Sequence, residues 1–196
     1  MKELGISEII EHLRSGKLIV YPTDTLYALG ADIYNEDAVK KVYQIKNRPF
    51  SLPLPVAVPS VQEMKRIAYV NDLAGKLAKN FLPGKLTLIL YKKDVPDIVT
   101  ANSDKVAVRI PNNEIALKIL RNYSPLTVTS ANIHGEKVPS CIKEIKKLFG
   151  KDLLYIEGGE LRSKPSTIVD CTSGEIKILR EGAIPEKEIR KAIQDG

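Results

Sequence analysis

Helical and strand patterns alternate along almost the whole of this chain, and that alternation limits the folds it can adopt. In residues 6–15 the apolar side chains recur on one helical face, and Gly16 follows them as a helix stop. The next apolar segment, residues 18–21, is short and continuous, which is typical of a buried strand. We therefore predict an α/β fold with a sheet of mixed direction and flanking helices.

The same patterns divide the rest of the sequence. Further helices are predicted over residues 35–45, 60–68, 71–80, 113–122, 140–148 and 185–194. Further strands are predicted over residues 54–58, 86–92, 106–110, 126–130, 153–156, 166–170 and 175–180. The sequence has no internal repeat and no linker rich in Pro, Gly or Ser, so we expect a single domain over residues 1–196.

Composition excludes several classes of protein. With 43% hydrophobic and 28% charged residues, the chain is expected to be globular rather than disordered. Its apolar runs are too short to span a bilayer, and its N-terminus does not resemble a signal peptide. Two cysteines and two histidines are too few for a structural zinc site, so we expect no metal ligands and a reducing, cytoplasmic location.

The net charge of +6 favours polyanionic partners such as nucleotides or RNA. A lysine-rich solvated surface explains the same charge equally well. Charge alone therefore leaves the choice of partner open.

Hydroxyl and amide side chains follow several predicted strands. Thr25 lies in the segment 21–30, Ser130 and Asn132 end the strand at 126–130, and Ser166 begins another. Open α/β sheets bind ligands at such strand ends, so these groups are candidates for contacts to a polar ligand. Turns and helix caps formed by the same residue types are the alternative.

Cationic side chains also lie at the ends of predicted helices and strands. Lys46 and Arg48 precede Pro49 at the end of a helix, and from a fixed loop both could approach one anion. Arg109 ends an apolar strand, where a buried guanidinium needs an anionic partner, and Arg180 ends another. The alternatives are helix C-terminal cations for the first pair and a structural ion pair for Arg109.

Common catalytic motifs are missing from the sequence. It has neither a Walker A motif, nor GxGxxG, nor GxSxG. Cys141 and His134 form only a nominal nucleophile pair, for which core or surface roles fit better. A site with many cations and hydroxyls and no nucleophile is typical of chemistry by positioning and charge stabilisation, as in phosphoryl or nucleotidyl transfer.

Taken together and in order, these segments resemble the YrdC-like domain family over about residues 17–184. They read PTDTLYALG, KNRP, PGKLTLIL, VAVRIP, TSAN, PSTIVD and LREG. The resemblance implies a twisted α/β sheet with a basic concave face. It also implies a threonylcarbamoyl-AMP synthase, a nucleotidyltransferase that joins L-threonine, bicarbonate or CO2 and ATP, with Mg2+ held mainly by phosphate oxygens.

The resemblance also assigns roles to individual residues. The expected threonine contacts are Thr25, Arg109 at the carboxylate, and Ser166. The expected ATP contacts are Lys46, Arg48, Ser130, Asn132 and Arg180, of which Lys46 and Arg48 match the family's catalytic KxR motif. Longer members have a histidine where this chain has Ala57, and they carry a C-terminal domain that closes over the site.

The product is expected to serve the N6-threonylcarbamoyladenosine modification of tRNA, through a separate threonylcarbamoyl-transferase complex. Three other functions stay open at this point. One is a non-catalytic protein that binds double-stranded RNA or tRNA, which the KxR and SxN elements argue against. The others are a carbamoyl-transferring domain and a short paralogue with another role.

Overall fold

The computed structural model describes residues 5–194. Its helices are α1 Ile6–Arg14, α2 Glu36–Ile45, α3 Val61–Ile67, α4 Asp72–Phe81, α5 Asp97–Thr100, α6 Glu114–Asn122, α7 Ile142–Phe149 and α8 Glu186–Gln194. Its strands are β1 Ile19–Tyr21, β2 Ala28–Gly30, β3 Val56–Ala57, β4 Ala68–Tyr69, β5 Leu86–Lys92, β6 Lys105–Arg109, β7 Leu126–Thr127, β8 Thr129–Ser130, β9 Leu154–Tyr155, β10 Thr167–Asp170 and β11 Lys177–Arg180.

Four of the helices begin at a polar residue that caps them. The side chain of each cap accepts a hydrogen bond from a backbone N–H in the first turn, and each such bond stabilises a helix by about 1 kcal/mol. The caps are Asn35, Ser60, Asn71 and Asn113. These local signals explain why the predicted starts of those helices lie within a residue or two of the observed ones.

The strands form two sheets. The larger has the order β11-β10-β5-β6-β3-β7, with β4 paired to β5, and the smaller has the order β8-β2-β1-β9. Both contain parallel and antiparallel neighbours, for example β5 parallel to β10 and antiparallel to β6. The predicted α/β fold of mixed direction is therefore confirmed, although the strands are divided between two sheets.

The chain passes from the larger sheet to the smaller one at Val128, inside the segment 126–130 that was predicted as one strand. Its N–H donates to the carbonyl of Pro55 at 2.9 Å, whereas β7 pairs with β3 of the larger sheet and β8 with β2 of the smaller. The single strand predicted there was wrong because the chain passes from one sheet to the other. Strand β2 was missed because its three apolar residues follow a polar turn.

Alternation along the strands sets where the core and the open face lie. In β5, Leu86, Leu88 and Leu90 are buried in the main core, and Thr87 and Ile89 point to the opposite face. The smaller sheet is covered on both faces, since Val20 enters the main core and its neighbours Ile19 and Tyr21 enter a second one under α1 and α6. The larger sheet therefore keeps one face available for a ligand.

Within residues 5–194, none of the helices has the length and apolar character that a membrane crossing requires.

Candidate active site

A cavity of about 450 Å3 lies on the open face of the larger sheet, where the two sheets meet. Its floor consists of side chains of β5, β6 and β10, and its walls come from the turn after β1, the segment after α2 and strand β8. Six of the eight predicted site residues line it, namely Thr25, Arg48, Arg109, Ser130, Ser166 and Arg180. We call it the arginine cavity.

Arg109, at the end of β6, is buried beside Asp24. Its Nη2 donates to Asp24 Oδ1 at 2.7 Å, its Nη1 to Thr25 Oγ1 at 2.8 Å, and its Nε to the Gly84 carbonyl at 3.3 Å. Burial lowers the pKa of Arg109, and the Asp24 carboxylate opposes that effect. The structural ion pair expected as an alternative is therefore present, and the guanidinium also lines the cavity.

The turn after β1 holds Thr25 against this arginine. Thr23 Oγ1 donates to the Leu26 carbonyl at 2.7 Å and accepts from the Thr25 and Leu26 amides. The two threonine hydroxyls lie 3.1 Å apart. The segment is thus a hydroxyl-stabilised turn that leads into β2, and its hydroxyls remain part of the cavity wall.

Ser166 and Arg180 form the opposite wall. Ser166 Oγ lies 2.8 Å from Thr87 Oγ1, and Arg180 Nη2 donates to the Ser166 carbonyl at 2.9 Å. Partial burial lowers the pKa of Arg180, and the charge of Arg109 lowers it further. An anion between the two guanidinium groups would offset this effect on Arg180.

Gly182, which follows β11, allows the chain to pack closely against the backbone of Pro165 and Ser166. A Cβ at that position would lie 2.2 Å from the Pro165 carbonyl oxygen and 2.6 Å from the Ser166 carbonyl atoms. We expect Gly182→Ala to lower the free energy of unfolding by about 1–3 kcal/mol because backbone atoms must move apart. It should also displace Ser166 and Arg180 and so weaken ligand binding.

Thermal unfolding measures this effect, and a loss of that size lowers Tm by about 2–12 °C. The matched control is Gly75→Ala within α4, where an added Cβ meets nothing within 4 Å. That variant should be as stable as the parent or up to about 1 kcal/mol more stable. A Gly182→Ala variant with unchanged Tm and ligand affinity would contradict the assignment.

Lys46 and Arg48 leave the end of α2 in different directions. Asn47 between them has a φ of 48°, a left-handed conformation that turns the chain. Arg48 lines the cavity, held by hydrogen bonds from Nη2 to the Pro53 carbonyl at 2.8 Å and from Nε to the Leu52 carbonyl at 3.2 Å. Lys46 is 2% exposed and is not among the described residues that line the cavity.

The Lys46 ammonium instead contacts the segment that follows β8. It donates to the Ser130 carbonyl, to the Asn132 carbonyl at 2.7 Å and to Asn132 Oδ1 at 3.3 Å. Ser130 Oγ donates to the same Asn132 Oδ1 at 2.7 Å. Asn132, like Lys46, is buried behind the cavity wall. The eight predicted residues are therefore neighbours, six at the cavity and two directly behind it.

Several lining residues were not predicted. Thr87, Ile89, Ala107 and Ile168 form the floor of the cavity. Alternation along the strands would have grouped them on one face, but no sequence signal says which face of the sheet stays open. Asp24 was likewise not proposed as the partner of Arg109, because the two residues are far apart in sequence.

A second, larger cavity of about 930 Å3 adjoins the first, and we call it the side cavity. The two share Leu26, Val138 and Pro165. Beyond them the side cavity is lined by residues 136–140, by side chains of α7 and by residues 161–163. Its surface is largely apolar, and its charged lining residues are of both signs, namely Glu136, Lys137, Glu144, Lys147 and Arg162.

Carboxylates are scarce at this site. The described residues that line the arginine cavity include neither Asp nor Glu. Across residues 5–194, no group of three or more His, Cys, Asp or Glu side chains could hold a metal ion. The polar chemistry of the cavity is therefore that of guanidinium groups and hydroxyls, which bind anions.

Comparison with known proteins identifies the family. The Sua5/YciO/YrdC family model, described as telomere recombination, matches residues 11–182. The chain therefore belongs to the Sua5/YciO/YrdC family, which confirms the predicted resemblance.

Two relatives and two solved structures show which members of the family the chain is similar to. A putative threonylcarbamoyl-AMP synthase of Methanocaldococcus jannaschii is 42% identical over 191 residues, covering 94% of this chain and 90% of that protein. The threonylcarbamoyl-AMP synthase of Pyrococcus abyssi is 40% identical over 186 residues, covering 92% of this chain but 55% of that protein. The chain thus spans about half the length of the latter relative.

The structure of P. abyssi Sua5 complexed with L-threonine superposes with a TM-score of 0.90 at 39% identity, covering 96% of this chain and 57% of that one. Escherichia coli YciO superposes with a TM-score of 0.86 at 31% identity, covering 94% of this chain and 91% of that one. These likenesses confirm the fold.

Proposed function

We propose that this chain is a threonylcarbamoyl-AMP synthase, which forms L-threonylcarbamoyladenylate and pyrophosphate from L-threonine, bicarbonate or CO2, and ATP. The observation that carries the proposal is the arginine cavity, where Arg48, Arg109 and Arg180 face hydroxyl groups with no carboxylate among the described lining residues. Relatives named for this activity, at 40–42% identity, support it. They favour the enzyme over a non-catalytic protein that binds double-stranded RNA.

Arg109 is suited to the threonine carboxylate. Three of its N–H groups have protein partners, and a guanidinium carries five, so donors remain for an anion in the cavity. The hydroxyls of Thr25 and Ser166 stand beside it for the polar groups of the amino acid. The apolar floor formed by Ile89, Ala107 and Ile168 could receive the threonine methyl group that serine lacks.

Arg48 and Arg180 are suited to the phosphates of ATP. They approach the cavity from different walls, one after α2 and the other on β11, and both have pKa values lowered by burial. Ser130 also lines the cavity and adds a hydroxyl group to its wall. The nucleoside would extend into the side cavity, because about 450 Å3 is little space for both an amino acid and a nucleoside triphosphate.

The chemistry is that of positioning and charge stabilisation. The threonine amine adds to CO2 and releases a proton, and an oxygen of the resulting carbamate attacks the α-phosphorus while pyrophosphate leaves. Both reactants are anionic, so the three arginines reduce their repulsion and stabilise the charge that develops on the phosphate oxygens. Mg2+ would be held by phosphate oxygens and water, since this cavity offers it no carboxylate, and would neutralise further charge.

The product is an activated group for tRNA modification. We propose that a separate threonylcarbamoyl-transferase complex uses it in the cytoplasm to form N6-threonylcarbamoyladenosine. Contact of this chain with tRNA or double-stranded RNA belongs to the same proposal, and the net charge of +6 would favour it.

The test is pyrophosphate release by the purified chain with ATP, Mg2+, L-threonine and bicarbonate, each omitted in turn. We expect release only with the complete mixture, and less with serine in place of threonine. Salt-sensitive RNA binding without pyrophosphate release would overturn the proposal. Release that is independent of threonine would also do so.

A further inference from the structure

The segment 157–165, which we call the strap, lies between β9 of the smaller sheet and β10 of the larger one, and residues 157–165 include no helix and no strand. Four of its residues line the side cavity, namely Leu161, Arg162, Ser163 and Pro165. Pro165 also lines the arginine cavity, and Ser166 of that cavity follows it directly. The position of the strap therefore affects the walls of both cavities.

The side chain of Tyr27 holds the strap near its start. Its hydroxyl donates to the Gly159 carbonyl at 2.8 Å and accepts from the Gly158 amide at 2.9 Å. Tyr27 itself is fully buried, directly precedes β2 and lines the arginine cavity. A residue fixed in the core thus holds a segment that has no regular structure of its own.

Close packing at Gly158 fixes the strap at the same point. A Cβ there would lie 2.3 Å from the Cβ of Pro22 and 3.5 Å from the hydroxyl oxygen of Tyr27. Because a proline ring has little freedom to move aside, a glycine is needed for the strap to come this close to the turn after β1. Further along, the Leu161 amide donates to the Ser140 carbonyl at 2.8 Å.

The hydrogen-bonding capacity of the Tyr27 hydroxyl is used mainly by the strap. A phenol carries one proton, and the Gly159 carbonyl accepts it. Burial raises the pKa of Tyr27, so the phenol keeps this proton at neutral pH. The hydroxyl therefore has no donor left for a ligand, and its contacts are those of a group that holds the backbone in place.

We propose that Tyr27 is a positioning residue for ATP, whose hydroxyl holds the strap against the turn after β1 so that residues 161–165 shape the side cavity for the nucleoside. The proposal rests on the proposed function, in which the nucleoside extends into that cavity. Threonine binding depends less on the strap, because Ser166 also lies 2.8 Å from the Thr87 hydroxyl and its carbonyl accepts from Arg180. Loss of the Tyr27 hydroxyl should therefore affect ATP more than threonine.

The first test is Tyr27→Phe, which keeps the aromatic ring and removes both hydrogen bonds to the strap. We expect KM for ATP to rise about tenfold, which equals about 1.4 kcal/mol and is the size of one or two net hydrogen bonds. The value of kcat and KM for threonine should stay within about threefold of the wild type. Initial rates of pyrophosphate release with each substrate varied measure the three quantities. An unchanged KM for ATP, or equal rises in both KM values, would overturn the proposal.

Tyr123→Phe is the matched control. Its hydroxyl donates to Asp32 Oδ2 at 2.7 Å, and Tyr123 is not among the described residues that line either cavity. This variant should leave both KM values unchanged even if it lowers Tm as much as Tyr27→Phe does. If KM for ATP rose in proportion to the loss of Tm in both variants, the Tyr27 phenol would only stabilise the fold, and the proposal would be wrong.

A second variant, Gly158→Ala, displaces the strap without changing Tyr27. The added Cβ must move away from Pro22, so the Gly158 amide also leaves the phenol, and KM for ATP should again rise about tenfold. If both changes act through the strap, KM in the double variant should be within about threefold of the larger single effect, because one unit is disrupted. Effects that multiply would mean that Tyr27 acts on ATP independently of the strap, contrary to the proposal.

Hydrogen exchange followed by NMR tests the strap apart from catalysis. We expect the amides of Gly158 and Leu161 to exchange about tenfold faster in Tyr27→Phe than in the wild type, while those of β5 stay protected. Unchanged exchange at both amides refutes the proposal. If the wild type releases no pyrophosphate, the proposed function fails, and the exchange result still decides whether Tyr27 holds the strap. Should Tyr27→Phe not fold, Gly158→Ala provides the same comparison.

Discussion

Arg48→Ala is expected to lower kcat/KM for ATP by about two to three orders of magnitude. Its guanidinium is held in the cavity wall by the Leu52 and Pro53 carbonyls, so its N–H groups are oriented before the substrate arrives. Preorganised donors aimed at developing charge are commonly worth 10²–10³ in rate. Arg48→Lys should recover only part of the loss, because an ammonium cannot reproduce the guanidinium fork.

The measurement is initial-rate pyrophosphate release with ATP varied and threonine saturating. Arg66→Ala is the matched control, since Arg66 is an exposed arginine of α3 whose ion-pair partner within residues 5–194 is Glu63. That variant should behave as the wild type. If Arg48→Ala also behaved as the wild type, the phosphate end of the cavity would be assigned incorrectly.

Arg109→Met is expected to have two separable effects. Affinity for threonine should fall about 100-fold, because two charge-assisted hydrogen bonds to the carboxylate are lost. The free energy of unfolding should fall by about 3–5 kcal/mol, because Asp24 is left buried without its counter-charge. Asp24 Oδ2 already lacks a hydrogen-bond partner among the described residues, which therefore have little to offer the carboxylate.

The double variant Arg109→Met/Asp24→Asn distinguishes these effects. It removes both charges, so most of the lost stability should return, whereas threonine affinity should stay low. Calorimetric titration of threonine and thermal unfolding of the same samples measure the two quantities. Threonine affinity that returns together with stability would mean that Arg109 supports the fold and does not bind the substrate.

Much of the fold follows from local patterns. Helical periodicity, Asn and Ser caps and Gly stops locate seven of the helices, because these signals act within a few residues. Strand β2 and the break at Val128 depend on which sheet each segment joins, a long-range choice that alternation does not encode. The division into two sheets, and with it the position of the cavity, could therefore not be predicted.

The candidate site likewise has features that the sequence predicts and features that only the folded structure reveals. Hydroxyls and cations at strand ends are visible in the sequence, since such groups are unusual beside apolar runs. The different positions of Lys46 and Arg48 depend on the left-handed Asn47 and on oxygens some eighty residues further along the chain. Pairing of Arg109 with Asp24 is likewise a product of folding.

The most direct test of the proposed activity is mass spectrometry of the reaction product made with 13C-labelled bicarbonate. Purified chain with ATP, Mg2+ and L-threonine is predicted to form an adenylate that contains threonine and one labelled carbon, in an amount equal to the pyrophosphate released. Formation of ADP or AMP without a threonine-containing, 13C-labelled adenylate would contradict the account.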